Sequence, residues 1–312
     1  NGNRFTVGST QLIGSSEFVL REKLLCLEDC NFHGSETLVW FGHHNSCWLV
    51  ACQSKSKSIQ EKFGVDALNR RLTDFKVLTF DCYGTLIDWE TGIWDALQPL
   101  IMQNRHSDIM RDAALRSFAA HESALESAEP QMPYRNILQN VHIAFAREFE
   151  LDNPAGVAAD FGNSVAYWPA FPDTADALRY LRRHYKLVIL SNIDRESFAA
   201  SNRKLGVSFD AIYTAQDIGS YKPAPANFEY LLEHLKKDLG IQPCEVLHTA
   251  QSLFHDHAPA RAFGLANAWI DRQHLSERGS WGATAELTER PELDFSFFSM
   301  AEMAEAVKAG IS

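Results

Sequence analysis

Residues 76–88 read KVLTFDCYGTLID, and this stretch decides the fold. Val77-Leu78-Thr79-Phe80 is a short β-type run that stops at Asp81, with Gly84 providing a turn just beyond. A buried strand therefore delivers a carboxylate to the mouth of a loop. Side chains alternate along such a strand, so Cys82 points away from Asp81 and reads as a small buried apolar residue.

Downstream, residues 92–166 carry helical spacing, with Ile93, Leu97, Leu100 and Ile101, then Ile137, Leu138, Val141 and Phe145, interrupted at Pro130 and Pro133. After Pro172 helix and strand alternate. The pattern predicts helices over 175–184, up to Leu205, over 226–239 and over 258–263, with strands at 187–190, 211–214, 246–249 and 266–270 between them. Strands separated by helices of this length predict an α/β fold, a Rossmann-like doubly wound parallel sheet with an inserted helical cap, whose ligands sit where the strands' carboxyl ends open into loops. The expected division is an N-terminal extension at 1–75, a core built from 76–91 and 167–312, and a cap at 92–166.

The extension reads differently, with Ser-rich stretches, a Trp/His/Cys-rich patch from Trp40 to Cys52 and no sustained helical or alternating period. It has no assigned part in the chemistry. Cys26, Cys30, Cys47 and Cys52, with His33, His43 and His44, raise a zinc reading, but the ligand spacing is irregular. The scattered cysteines also fit a secreted disulfide framework poorly. A net charge of −11 argues against nucleic acid or an anionic membrane as partner, since both are held by Lys/Arg patches. No uncharged apolar run reaches the roughly 18 residues of a membrane helix, so the cytoplasm is the expected location.

Four loops after predicted strands begin with reactive or polar residues: Asp81; Ser191; Lys222; and Gln251 to Asp256. A carboxylate, a hydroxyl, an ammonium and a second carboxylate suffice for attack, orientation, charge neutralisation and water activation. Each residue alone has a plainer reading. Asp81 before Gly84 could be a turn former, Ser191-Asn192 a helix cap, Lys222 a solvated loop lysine, and Asp256 an acid favoured by a helix dipole.

Together, FDCYGTLID at 80–88, LSN at 190–192, YKPAP at 221–225 and HTAQSLFHDHAPARAFGL at 248–265 resemble, in order, the four motifs of the haloacid dehalogenase superfamily, a resemblance that covers about residues 76 to 275. In the phosphatase branch the first motif carries a second Asp that protonates the leaving alcohol; here that position is Tyr83. Gln251 likewise stands where phosphatases place a magnesium ligand. A halide leaves as a stable anion and needs neither group, so the chain resembles the L-2-haloacid dehalogenases, and the resemblance implies neither metal nor cofactor. By it Asp81 would attack C2 of a 2-haloalkanoate and form an ester with inversion. Lys222 would hold Asp81 ionised, Thr85 and Ser191 would orient it and hold the substrate carboxylate, Asn192 would contact halide, and Asp256 would activate the hydrolytic water. Tyr83, Ser252 and His255 are further substrate-binding candidates. The expected partner is a small 2-haloacid or related carboxylate, with a homodimer left open.

The pattern departs in two places. The cap Arg that receives halide in these dehalogenases has Arg135 as its candidate here, and Leu253 and His255 stand where they carry Asn and Trp. The substrate range is thereby open, fluorinated acids included. A phosphatase that compensates for Tyr83 and Gln251 is one alternative, and a non-catalytic binding protein another, against which the retention of Asp81, Lys222 and Asp256 stands. His248, His255 and His257 do not share a face, so they read as core or rim residues and not as metal ligands. Tyr167, Trp168 and Phe171 are expected to close the pocket near the cap hinge, or else to be plain core.

Overall fold

The computed structural model describes residues 38–43, 46–51, 70–104, 108–277 and 289–311. The chain divides into two units, 1–67 and 68–312. In the first, Leu38–His43 (β1) pairs antiparallel with Ser46–Ala51 (β2), Leu38 opposite Ala51 and His43 opposite Ser46. The absence of an alternating period read from the sequence is corrected here: both runs are rich in Val, Leu, Phe or Trp, which favour extended backbone even without strict alternation. The zinc reading rests on side chains outside the described residues.

The second unit is built on Val77–Phe80 (β3), every residue of which is buried. The helices Trp89–Gln103 (α1), Arg111–Ala128 (α2), Tyr134–Glu148 (α3) and Val157–Gly162 (α4) are inserted between it and the next strand. Then come Thr174–Leu181 (α5), Lys186–Ser191 (β4), Arg195–Leu205 (α6), Ala211–Thr214 (β5), Ala215–Ile218 (α7), Pro225–Leu239 (α8), Val246–Ala250 (β6), Ala258–Ala262 (α9), Ala266–Ile270 (β7), Phe295–Phe297 (β8) and Met300–Ile311 (α10). The strands form one parallel sheet in the order β5-β4-β3-β6-β7-β8.

Parallel strands buried on both faces need helices on both sides, and the packing shows how the sequence supplies them. Leu78 and Phe80 of β3, with Leu187 and Ile189 of β4, join a cluster that includes Leu178 of α5, Phe198 of α6 and Met303 of α10. Val77, Val188 and Val246 point the other way, into a second cluster with Phe228, Leu231 and Leu235 of α8. The period of two along each strand thus meets helical stripes on opposite faces. The core also takes in Leu72 and Phe75, ahead of Lys76, where the sequence pattern sharpens.

Some elements differ from the sequence reading. α5 ends at Leu181, short of His184. The helix expected over 258–263 is present at Ala258–Ala262, and a π turn at Leu253–His257 that the sequence reading lacked precedes it. β8 and α10 had no counterpart in the alternation, though Met300, Met303 and Val307 give α10 a buried face. Two backbone crossings join the inserted helices to the core and run side by side: the Asp88 N–H donates to Pro169 O at 2.8 Å and the Phe171 N–H to Leu86 O at 3.2 Å. No helix of the described residues is long and apolar enough to cross a membrane.

Candidate active site

β3 and β6 are neighbours at the centre of the sheet, yet the chain leaves β3 toward β4 and β5 and leaves β6 toward β7 and β8. The loops after them therefore part, which opens a crevice at their carboxyl ends. Asp81 and Asp256 lie on those two loops. The Asp81 N–H donates to Thr249 O of β6 at 3.1 Å, fixing where its side chain leaves the sheet.

Lys222 sits between the two carboxylates. Its Nζ donates to Asp81 Oδ1 at 2.9 Å, to Asp256 Oδ1 at 2.7 Å and to the Leu190 carbonyl at 3.0 Å, so each of its three protons has an acceptor. Lys222, Asp81 and Asp256 are all buried. Thr85 Oγ1 donates to Asp81 Oδ2 at 2.9 Å and accepts the Gln251 N–H at 2.9 Å, tying the first loop to the last. Asp256 Oδ1 also meets His248 Nε2 at 3.0 Å, while His248 Nδ1 lies 2.8 Å from Thr79 Oγ1. That contact is set by register, because Thr79 and His248 are opposite each other on β3 and β6. Asp256 Oδ2 is buried with no partner.

The electrostatics separate the two acids. Burial pushes Asp256 up, but Lys222 and His248 outweigh it and hold its carboxyl well below the usual carboxylate range. For Asp81 burial prevails: together with the charge of Asp256 it raises the carboxyl against the pull of Lys222 and Thr85. Burial would lower Lys222, yet Asp256 and Asp81 hold it above its ordinary value. The ammonium is permanent, and Asp256 has the more secure negative charge.

The other expected residues fall into two groups. Ser191, at the end of β4, is buried and its hydroxyl has no partner. Ser252 Oγ accepts the His255 N–H at 3.1 Å and caps the π turn; burial lowers His255 to about 4, so the ring is neutral near pH 7. Asn192 is not free to face a halide. Its Nδ2 donates to Lys222 O at 3.0 Å and to Glu126 Oε2 at 3.2 Å, and its Oδ1 accepts the Lys222 N–H at 2.6 Å. The Tyr83 hydroxyl is 2.7 Å from Ser201 Oγ, and its ring meets Trp168 edge-on at 5.4 Å.

Two cap expectations are corrected. Arg135 is exposed and turns outward, bonding Asn163 Oδ1 at 2.6 Å and facing Glu196 at 3.9 Å. Tyr167 is 84% exposed and closes nothing, whereas Trp168 is buried against Gly92. What faces the site from the cap is acidic. Tyr134 OH donates to Glu122 Oε1 at 2.6 Å, and Glu126 is the residue that Asn192 reaches. Tyr83, Glu122 and His255 are half-buried. His248 is the core histidine that the sequence reading expected, but its contact with Asp256 was not foreseen, and Glu122 and Glu126 escaped that reading. The two glutamates were visible in principle: Phe118, Glu122 and Glu126 continue one stripe of α2 at a spacing of four, so acids extend an apolar face.

The family model for haloacid dehalogenase-like hydrolases matches residues 75–249, more than half of the chain. A curated relative, (S)-2-haloacid dehalogenase 4A of Burkholderia cepacia, is 26% identical over 214 residues, covering 64% of this chain and 84% of that protein. The L-2-haloacid dehalogenase of Xanthobacter autotrophicus superposes with a TM-score of 0.60 at 20% identity, over 75% of this chain and 98% of its own. YfnB of Bacillus subtilis, a putative HAD-hydrolase solved with magnesium bound, gives 0.58 at 16% identity, over 77% and 100%. At these identities the superpositions speak for the fold alone.

Proposed function

The chain belongs to the haloacid dehalogenase-like hydrolase family, and from that premise we propose that it cleaves the carbon–halogen bond of a small 2-haloacid through an ester on Asp81, without a divalent cation. The observation that carries the reading is Lys222, whose Nζ lies 2.9 Å from Asp81 and 2.7 Å from Asp256. An ammonium of the chain itself lies between the two carboxylates and offsets their charge, and Gln251 adds no third acid. Among the described residues no group of three or more His, Cys, Asp or Glu side chains could hold a metal ion.

In the first step an Asp81 oxygen attacks the halogen-bearing carbon; the C–O bond forms as the C–halogen bond breaks, and halide leaves with the bonding pair. No proton is required, which fits a Tyr83 hydroxyl already engaged by Ser201. In the second step water adds to the ester carbonyl. Asp256 is the base: its Oδ1 is held by Lys222 and His248, and its buried, unpartnered Oδ2 is left to take the water's proton. Collapse breaks the ester C–O bond and returns the Asp81 carboxylate; the departing alkoxide takes the second proton of the added water and leaves as the hydroxy acid, and the proton on Asp256 passes to solvent. Thr85 holds Asp81 in its attacking orientation, and the free Ser191 hydroxyl is available to the substrate carboxylate.

The test is halide release from 2-chloropropionate and fluoroacetate with and without a chelator. Release that survives chelation supports the reading. Silence across a haloacid panel, with magnesium-dependent phosphate release from an aryl phosphate, would replace it with a phosphatase.

A further inference from the structure

His248 is fully buried at the centre of the sheet, yet both of its ring nitrogens are engaged. Nε2 lies 3.0 Å from Asp256 Oδ1, and Nδ1 lies 2.8 Å from Thr79 Oγ1. The ring packs edge-on against Phe228 with centroids 5.3 Å apart, so an apolar side chain of similar size could fill the same space. Central strands of a parallel sheet are ordinarily apolar throughout. A polar pair set opposite each other on β3 and β6 is therefore more than cohesion of the sheet requires.

Chemistry fixes the direction of these bonds. With Asp256 ionised its Oδ1 can only accept, so Nε2 carries a proton. The Thr79 hydroxyl meets the other nitrogen, and by donating there it keeps the proton on Nε2. Asp256 Oδ1 also receives Lys222 Nζ at 2.7 Å, whereas Oδ2 is buried without a partner. The torsion about an aspartate's Cβ–Cγ bond is broad, and one bond to Oδ1 would leave Oδ2 free to swing. Two donors from separate elements hold the carboxylate plane. When Oδ2 takes a proton from water, Oδ1 becomes the carbonyl oxygen and still accepts from both, so the transfer breaks neither bond. Asp81 takes its own bonds from Lys222 and Thr85, not from His248.

We infer that His248 is a positioning residue for the second half of the reaction alone: fixed by Thr79, it aims Asp256 Oδ2 at the hydrolytic water and leaves the attack by Asp81 unchanged. The inference rests on the carbon–halogen reading above. It goes further in dividing the two steps between separate sets of donors, Lys222 being common to both.

The experiment follows the full chain with 2-chloropropionate by rapid quench, reading halide release and, by intact mass, the fraction of protein carrying the substrate-minus-halide adduct. In His248→Leu the adduct is expected to build up, with hydrolysis slowed roughly tenfold to a hundredfold, while the first turnover of halide keeps its wild-type rate. His248→Gln places an amide nitrogen where Nε2 stood, and is expected to recover most of the hydrolysis rate and to carry less adduct than His248→Leu. Thr79→Val keeps the ring and the shape of the strand but removes the hydroxyl, and a smaller build-up is expected. Thermal unfolding reports which variants are folded, and Thr79→Val carries the test should His248→Leu not fold. Adduct no higher than wild type in every folded variant, or as much in His248→Gln as in His248→Leu, overturns the proposal. A first turnover slowed as far as hydrolysis overturns it too. A wild-type chain that releases no halide removes the carbon–halogen reading itself, and the proposal with it.

Discussion

Asp81 and Asp256 hold one ammonium, Lys222, between their carboxylates, and that mutual dependence makes each of the three expensive to remove. Lys222→Met leaves two buried carboxylates facing each other, so it is expected to abolish turnover and to lower unfolding free energy by about 3–5 kcal/mol, as measured in denaturant. A loss under about 1 kcal/mol, within the range of an exposed ion pair, would show that the site is open to water. The pH dependence follows from the opposed shifts. Asp81 must be deprotonated to attack, and its carboxyl is raised by burial, so kcat/KM is expected to fall as pH drops through a value above the ordinary Asp range. Asp256 is held low and stays charged throughout that limb. A profile flat down to the usual carboxylate range would contradict the assignment. The three charged residues were legible in the sequence because each follows a readable strand or sits in a motif with fixed spacing. His248 was not, since its partnership with Asp256 depends on the π turn that brings residue 256 back over the strand, and no linear pattern announces that turn.

The inserted helices meet the core through a few close approaches. A Cβ on Gly92 would lie 2.3 Å from Trp168 Cγ, inside α1 and against a buried indole whose Nε1 donates to Ser164 Oγ at 3.1 Å. The ring cannot retreat without breaking that bond. Gly92→Ala is therefore expected to cost about 1–3 kcal/mol despite its better helix propensity, read from the thermal midpoint. An unchanged or raised midpoint would mean that the hinge yields. Gly84 is constrained in another way: its φ of +92° disfavours any side chain, and a Cβ would sit 3.0 Å from Gln251 Oε1. The elements themselves were largely readable, since β3, β4, β6 and β7 are apolar runs and α1, α3 and α8 have clear stripes. What the sequence hid was orientation. Arg135 and Tyr167 lie in helical segments where a shift of one position turns a side chain from pocket to solvent, and the acids at 122 and 126 resemble an ordinary solvated face until the cap is placed over the loops.

At the scale of the whole molecule, the unit from Leu68 onward carries every residue of the proposed chemistry. A chain beginning at Leu68 is expected to keep the halide-release rate of the full protein. One beginning at Lys76 loses Leu72 and Phe75 from the core, together with the hydrogen bond from Tyr185 OH to Leu72 O at 3.1 Å, and is expected to be less stable by about 2–5 kcal/mol in denaturant. Equal stability of the two would place the start of the core later. The most direct measurement on the whole enzyme is intact mass and peptide mapping of the Asp256→Asn variant, incubated with 2-chloropropionate in the presence of a chelator. With the base gone the ester should persist, as a substrate-minus-halide adduct on the peptide containing Asp81. An unmodified protein, or one that gains phosphate from a phosphoryl donor at that aspartate, would contradict the account.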